Sequence, residues 1–399
     1  MTNIYAALEI GTTRTVLAVG EAETGGRLKV TGHAEVPSTG VRKSQIFDIK
    51  QAAQSIKGVL HQSEAGGSVE LGNAFLVVSG QHIRSDRFTG NPTPIDGHVT
   101  AEDIADADES AHVSSLPKDR ELLDIFDQDY VLDSRGGILT PAGMAGRLLR
   151  LNSLHVHADR NRIEDARTAA GETHLEIREP LFAAACAADA VLEEHERKNG
   201  ALVLDMGGGS TGYAVYADGY LVSAGVVGVG GDHVTNDIAH AFQTTQVQAE
   251  VLKTREASAM LGGAEDDRPL RIKLAGSIAM MDTRTISRRS LDTVVNARLK
   301  ELFAVIRETL EEQDLLHRLH SGVVLTGGAA RMRGLDELAQ RELGTNVRHG
   351  RPIHVDGLED MPDDEAGALA AIAGALMYAH DNYAEKPTLL DKIFGGRFK

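Results

Sequence analysis

One short motif occurs twice in this chain, and it limits the fold more than any other feature. Leu8-Glu9-Ile10-Gly11-Thr12-Thr13-Arg14-Thr15 and Leu204-Asp205-Met206-Gly207-Gly208-Gly209-Ser210-Thr211 follow one plan. Each runs from an apolar strand through an acid into a turn of glycine and hydroxyl residues, then back into a strand. The two acids, Glu9 and Asp205, are separated by about half of the 399 residues. A repeat at that distance points to two related lobes, each built on the same hairpin. The length agrees, because 399 residues exceed what one compact core usually holds.

The residue types in the repeat suit phosphate. A tight turn of Gly, Ser and Thr aims backbone N–H groups into one concavity, and only glycine lets the main chain approach an anion so closely. An acid at the strand end suits magnesium, which is usually held through its own waters. Two such hairpins facing each other form a clamp for a magnesium nucleotide. Either copy alone also reads as an ordinary glycine hairpin; the matched order of the two favours the clamp. The Gly-x-x-x-x-Gly-Lys-Ser/Thr loop of another nucleotide fold is missing from the sequence. Gly208-Gly209-Ser210-Thr211-Gly212 does fit the Gly-x-Ser-x-Gly elbow of esterases. That elbow needs a helix after the serine, whereas Tyr213-Ala214-Val215-Tyr216 continues as a strand, so an esterase is set aside.

Charge narrows the partners. The chain carries 41 Lys and Arg against 58 Asp and Glu, a net −17, which argues against general nucleic-acid binding. The single cysteine, Cys186, excludes a disulfide framework and a cysteine zinc cluster. No apolar run reaches the roughly 18 residues of a membrane span, and residues 1–5 lack the basic start of a signal peptide. A soluble protein of a reducing compartment is expected.

Periodicity predicts a strand meander over 4–36, a helix over 48–63 capped by Asp48, and a strand over 73–78. Residues 83–160 read as an inserted α+β module. Helices are expected over 162–171 and 180–198, a second strand set over 201–227, and helices over 233–242, 245–256 and 290–315. A strand over 322–325, a helix over 335–343 and an alanine-rich helix over 365–380 complete the pattern.

With these loops in this order, the chain resembles the actin-like ATPase superfamily. The third loop of that family, which takes adenosine, is matched by Val323-Val324-Leu325-Thr326-Gly327-Gly328-Ala329-Ala330. Gly230-Gly231-Asp232 and the pair Glu250 and Lys253 stand where the superfamily contacts ribose and adenine. Within it the chain resembles the FtsA family of bacterial division proteins over nearly its whole length. The stretches Val78-Ser79-Gly80-Gln81-His82-Ile83, Gly137-Ile138-Leu139-Thr140-Pro141-Ala142-Gly143-Met144-Ala145-Gly146 and His233-Val234-Thr235-Asn236-Asp237-Ile238-Ala239-His240-Ala241-Phe242 carry that likeness.

The resemblance implies an actin-like two-lobed α/β fold with an FtsA-type insertion in the first lobe. Its core would be 1–82 with 161–198, the insertion 83–160, the second-lobe core 199–240 with 322–385, and a second small subdomain 241–321. It implies ATP and magnesium as ligands. Phosphate and nucleotide contacts would come from Gly11, Thr12, Thr13, Arg14, Gly207, Gly208, Gly209, Ser210, Thr211, Gly230, Gly231, Asp232, Glu250, Lys253, Gly327, Gly328 and Ala329, and magnesium from Glu9 and Asp205 through water. It further implies filaments of the chain, attachment to the C-terminal tail of FtsZ, other divisome partners, and a place on the cytoplasmic face of the membrane at the division site. Three departures point to ATP binding with weak or no turnover, and no catalytic base is assigned. Glu9 replaces an aspartate, Arg14 stands where lysine is common, and Gly212 stands where many relatives have an aspartate.

The tail 386–399 puts Leu389, Leu390, Ile393 and Phe394 on one helical face, with Lys392 off it and Arg397, Phe398 and Lys399 beyond. Its four cations against one acid give a local +3 on a −17 chain, which suits an anionic membrane surface and matches the amphipathic end of the FtsA family. Docking on the chain's own body is the alternative. His155 and His157 share one strand face, but no third ligand stands at a suitable spacing. A PilM-like pilus scaffold would not need this tail, and a small-molecule kinase of the same fold would need a base beyond the terminal phosphate.

Overall fold

The computed structural model describes residues 3–22, 27–65, 71–113, 116–263, 267–273 and 283–383, the side chains of 64 and 65 excepted. Two five-stranded sheets repeat one topology. In the first lobe, strands Ile4–Ile10, Arg14–Ala22 and Leu28–Pro37 form an antiparallel meander, and Asn73–Val78 and then Glu176–Phe182 add in parallel to its first strand. In the second lobe, Ala201–Met206, Thr211–Ala217, Tyr220–Val227, Gly322–Thr326 and Val347–His349 repeat that order. The central strands are buried on both faces, which explains their runs of Ala, Val and Leu where a half-exposed strand would alternate.

The repeat is interrupted at different connections. Between the fourth and fifth strands of the first lobe lies a separate five-stranded sheet of Arg84–Thr89, Thr93–Pro94, Arg120–Leu132, Arg135–Ile138 and Leu148–Asp159. Its helix Ala101–His112 starts at Thr100, whose hydroxyl accepts from the Asp103 N–H while the Asp103 carboxylate accepts from the Thr100 N–H. Val99, Ala107, Leu132 and Leu149 make a small core of their own there. In the second lobe, helices Gly231–Phe242, Gln246–Arg255 and Arg288–Glu312 and the hairpin Pro269–Lys273 with Thr283–Ser287 fall between the third and fourth strands.

Two expectations change. The helix expected over 180–198 splits into the end of an edge strand, Glu176–Phe182, helix Ala183–Val191 and helix Glu194–Asn199. Pro180, read as a first-turn residue, sits in that strand where the pairing register shifts. An edge position tolerates the N–H that proline lacks.

The alanine-rich segment expected over 365–380 forms Asp363–Gly367 and Ala370–Tyr383. The second of these packs on the first-lobe strands Ile4–Ile10 and Arg14–Ala22. Helix Ala183–Val191 in turn packs on the second-lobe strands Ala201–Met206 and Thr211–Ala217. The two helices cross between the lobes so closely that a Cβ on Gly374 would lie 1.8 Å from the Cys186 carbonyl oxygen.

Candidate functional site

Both hairpins turn in the same way. The Gly11 N–H donates to the Arg14 carbonyl at 3.0 Å, and the Gly207 N–H to the Ser210 carbonyl at 2.9 Å. The start of helix Gly231–Phe242 is locked onto the second turn, with Gly231 N–H donating to Gly207 O at 3.0 Å and Asp232 N–H to Gly208 O at 2.9 Å. A side chain on Gly230 would fall 2.5 Å from the Gly208 oxygen, so this approach requires glycine. The third loop arrives from strand Gly322–Thr326. Gly327 turns there at φ 85°, and a Cβ on it would lie 2.7 Å from Asp205 Oδ1.

These elements converge on one cleft between the lobes, of about 560 Å³. Its lining includes Glu9, Gly11, Thr12, Thr13 and Arg14 from the first hairpin, and Asp205, Gly207, Gly208 and Gly209 from the second. Gly231, Asp232, Glu250, Lys253, Gly327, Gly328 and Ala329, also expected from the sequence, line it too. Three predicted residues stand behind the wall. Gly230 is packed against the second turn, Ser210 is buried beneath it, and Thr211 is spent on the Val229 carbonyl at 2.7 Å.

The two acids share the cleft floor. Burial pushes the Asp205 carboxyl up to about 7, and the neighbouring charge of Glu9 adds to the shift while Arg14 opposes it. Burial likewise raises Glu9, with Arg14 opposing and Glu35 adding. A cation placed between two such groups would relieve both. Among the described residues no set of three or more His, Cys, Asp or Glu is placed to hold a metal ion. Two carboxylates suit magnesium, which keeps most of its waters. Arg14 is already engaged. Its guanidinium donates to Glu35 at 2.7 Å and to the Ala368 carbonyl at 2.7 Å, tying the first hairpin to the chain before the last helix.

On the second-lobe side, Lys253 Nζ is held by Glu250 at 2.7 Å, Thr235 Oγ1 at 2.9 Å and Gly231 O at 3.2 Å. Glu250 also accepts from Thr235 at 2.6 Å. The family resemblance implied this pair; its anchoring to Thr235 needed the fold. Sequence reading missed Glu35, Ser44, Ser79, Thr254 and Arg331, which also line the cleft. Arg331 directly follows the third loop and was recoverable from the motif. Ser44 lies on a turn remote in sequence from both hairpins, so no pattern marked it.

Gly212 faces Asp205 across the hairpin, and a Cβ on it would lie 3.0 Å from that of Ala184. An aspartate there would press on helix Ala183–Val191. The histidine pair takes structural roles. His155 meets the Ala111 carbonyl at 3.0 Å, and His157 bridges Asp86 at 2.8 Å and Arg120 at 2.8 Å. Cys186 is buried, and burial lifts its thiol well above the ordinary range, as fits an inert core residue. The tail residues Leu389, Leu390, Lys392, Ile393, Phe394, Arg397, Phe398 and Lys399 lie outside the described residues.

Comparison with known proteins agrees with this architecture. Residues 202–373 match the model of Cell division protein FtsA, and residues 80–157 match the SHS2 domain inserted in FtsA. The Cell division protein FtsA of Pseudomonas aeruginosa is 32% identical over 375 residues, covering 94% of this chain and 89% of that protein. That of Bacillus subtilis is 29% identical over 359 residues, covering 90% and 80%. Among solved structures, a PilM–PilN type IV pilus biogenesis complex aligns with TM-score 0.64 at 17% identity over 94% of this chain and 98% of that one. MreB5 of Spiroplasma citri bound to ADP aligns with TM-score 0.56 at 14% identity over 94% and 96%. At such identities these two structures speak for the actin-like fold alone. The matched models, the relative identical at 32% over most of both chains, and the shared insertion together place this chain in the FtsA family of cell division proteins.

Proposed function

We propose that the cleft binds ATP with magnesium, and that the nucleotide-bound chain self-associates and tethers FtsZ filaments to the cytoplasmic face of the membrane during division. The observation that carries the reading is the meeting of both glycine hairpins, the third loop and the Lys253 shelf on one cleft of about 560 Å³, in a chain of the FtsA family. Phosphate oxygens fit the backbone N–H groups of the two turns. Glu9 and Asp205 would hold magnesium through its waters, supplying charge neutralisation for the phosphates. The base and ribose fit the side of Lys253, Gly328 and Ala329. Turnover is weak or nil on this reading, because the additional methylene of Glu9 displaces a carboxylate that must order those waters.

The tail supplies membrane affinity through its apolar face and its local +3 charge, and a filament supplies the avidity that so short a segment lacks. The likeness to the PilM complex is one of fold, and a pilus-type role gains nothing further from this chain.

Flotation with anionic vesicles, magnesium ATP and the cognate FtsZ tests the tether. Full-length chain should carry FtsZ upward, and a chain ending at residue 385 should leave both below. Flotation of the chain without FtsZ would move the role to another membrane scaffold. Failure of the full-length chain to float would remove the membrane role.

A further inference from the structure

Ser44 belongs to neither glycine hairpin, yet it touches both. It stands on a two-residue turn between strands Val41–Arg42 and Gln45–Ile46, which pair Val41 with Ile46 and Arg42 with Gln45. Both central residues are left-handed, Lys43 at φ 49° and Ser44 at φ 57°. Such a turn normally takes Asn-Gly or Gly-Gly, because a residue with a Cβ is strained there. A strained non-glycine backbone beside a binding cleft is a reason to look for a role.

The contacts of Ser44 supply one. Its N–H donates to Thr12 Oγ1 at 2.8 Å, and its hydroxyl lies 3.1 Å from Ser210 Oγ and 3.4 Å from Thr12 Oγ1. It therefore joins a first-lobe turn to the second-lobe hairpin at the cleft lining. The hairpins themselves are pressed together. A Cβ on Gly208 would lie 2.1 Å from Thr13 Oγ1, and one on Gly209 2.4 Å from Thr12 Oγ1 and 3.0 Å from the Ser44 N–H nitrogen. A terminal phosphate entering between the hairpins must part Ser44 from Ser210, and the Ser44 O–H then needs another acceptor while its N–H stays on Thr12 within the first lobe.

We propose that Ser44 discriminates nucleoside triphosphate from diphosphate. Its hydroxyl, engaged by Ser210 while the hairpins touch, turns to an oxygen of the terminal phosphate when they part. With a diphosphate there is no such oxygen, and Ser44 remains with Ser210. The strained turn holds the hydroxyl at that place, where a glycine would offer only backbone. This inference rests on the reading of the cleft as a nucleotide site.

Calorimetric titration of the full chain with magnesium and either ADP or the β,γ-imido analogue of ATP tests it. Wild type is compared with Ser44→Gly, which also relieves the turn, and with Ser44→Ala, which keeps the strain. Losing one hydrogen bond to a charged oxygen should weaken the triphosphate analogue about tenfold in both variants, with ADP altered less than about threefold. Ser44→Gly should melt no lower than wild type, so misfolding cannot imitate the result. An unchanged triphosphate-to-diphosphate ratio in both variants, with wild type binding both ligands, would overturn the role of Ser44 and leave the nucleotide reading intact. Failure of wild type to bind either ligand would overturn both.

Discussion

Asp205 shows how one carboxyl connects ligand chemistry with stability. Its folded pKa is raised to about 7 by burial and by Glu9, far above that of an unfolded aspartate. The proton is therefore held more tightly by the folded chain. Stability from this group is present below about pH 4 and is lost as pH rises through about 7. The cation-free chain should lose melting temperature between pH 5 and pH 8. Asp205→Asn should flatten that slope and stabilise the pH 8 protein by on the order of 1–2 kcal/mol, a figure discounted for the partial access of the cleft to water. Thermal melts at the two pH values in EDTA decide this; an equal slope in the variant would mean that Asp205 does not carry the effect. The same substitution should weaken any magnesium-dependent rise in melting temperature. Glycines at the turns test the neighbouring contacts. Gly209→Ala must displace Thr12 or Ser44, and nucleotide-induced stabilisation should be lost even where the variant remains folded.

At the scale of elements, the crossing of helices Ala183–Val191 and Ala370–Tyr383 accounts for the alanine-rich composition of both. Small residues let two backbones meet, and at Gly374 even a methyl group is excluded by the Cys186 carbonyl. Gly374→Ala should destabilise the chain by about 3 kcal/mol, since neither backbone can give way alone. Gly58→Ala is the matched control. It lies inside helix Ile49–Ala65, its new methyl would sit 3.5 Å from Val36 Cγ1, and helix propensity predicts a gain of up to about 1 kcal/mol. Urea melts of the pair should move in opposite directions. If both moved downward by a similar amount, the close crossing would not be the cause.

At the scale of the whole molecule, the inserted sheet bridges the two lobes. It leaves the first lobe but also rests on the second-lobe edge strand Tyr220–Val227. Ser85 Oγ donates to the Ala224 carbonyl at 2.5 Å, Arg87 to Val222 at 3.0 Å, and Gln128 to Leu221 at 2.8 Å. These side chains cap acceptors that an open sheet edge would otherwise expose. Replacing Arg87 and Gln128 together by alanine should speed amide hydrogen exchange at the edges of both sheets, at about 1 kcal/mol per lost bond, and leave the lobe cores protected. Uniform protection in wild type and variant would show that the edge is held by packing instead.

How much of this molecule was legible beforehand depends on the range of the interactions concerned. The duplicated acid-glycine turn and the two-lobed plan are local patterns, because hairpin geometry and phosphate approach restrict residue type within a few positions, whereas the third loop and the Glu250 and Lys253 pair came through the family resemblance. By itself, then, the sequence determined the hairpins and the set of residues able to face phosphate. Tertiary structure alone decided what depends on distant chain meeting distant chain. It placed helix Ala370–Tyr383 on the first lobe, ended the expected 180–198 helix as an edge strand, buried Ser210 and Thr211 behind the turn, and brought Ser44 between the hairpins. Each of these follows from contacts between segments separated in sequence, by 18 residues for Thr211 and Val229 and by 166 for Ser44 and Ser210, or from an edge that only the assembled sheet defines, and no local periodicity encodes either.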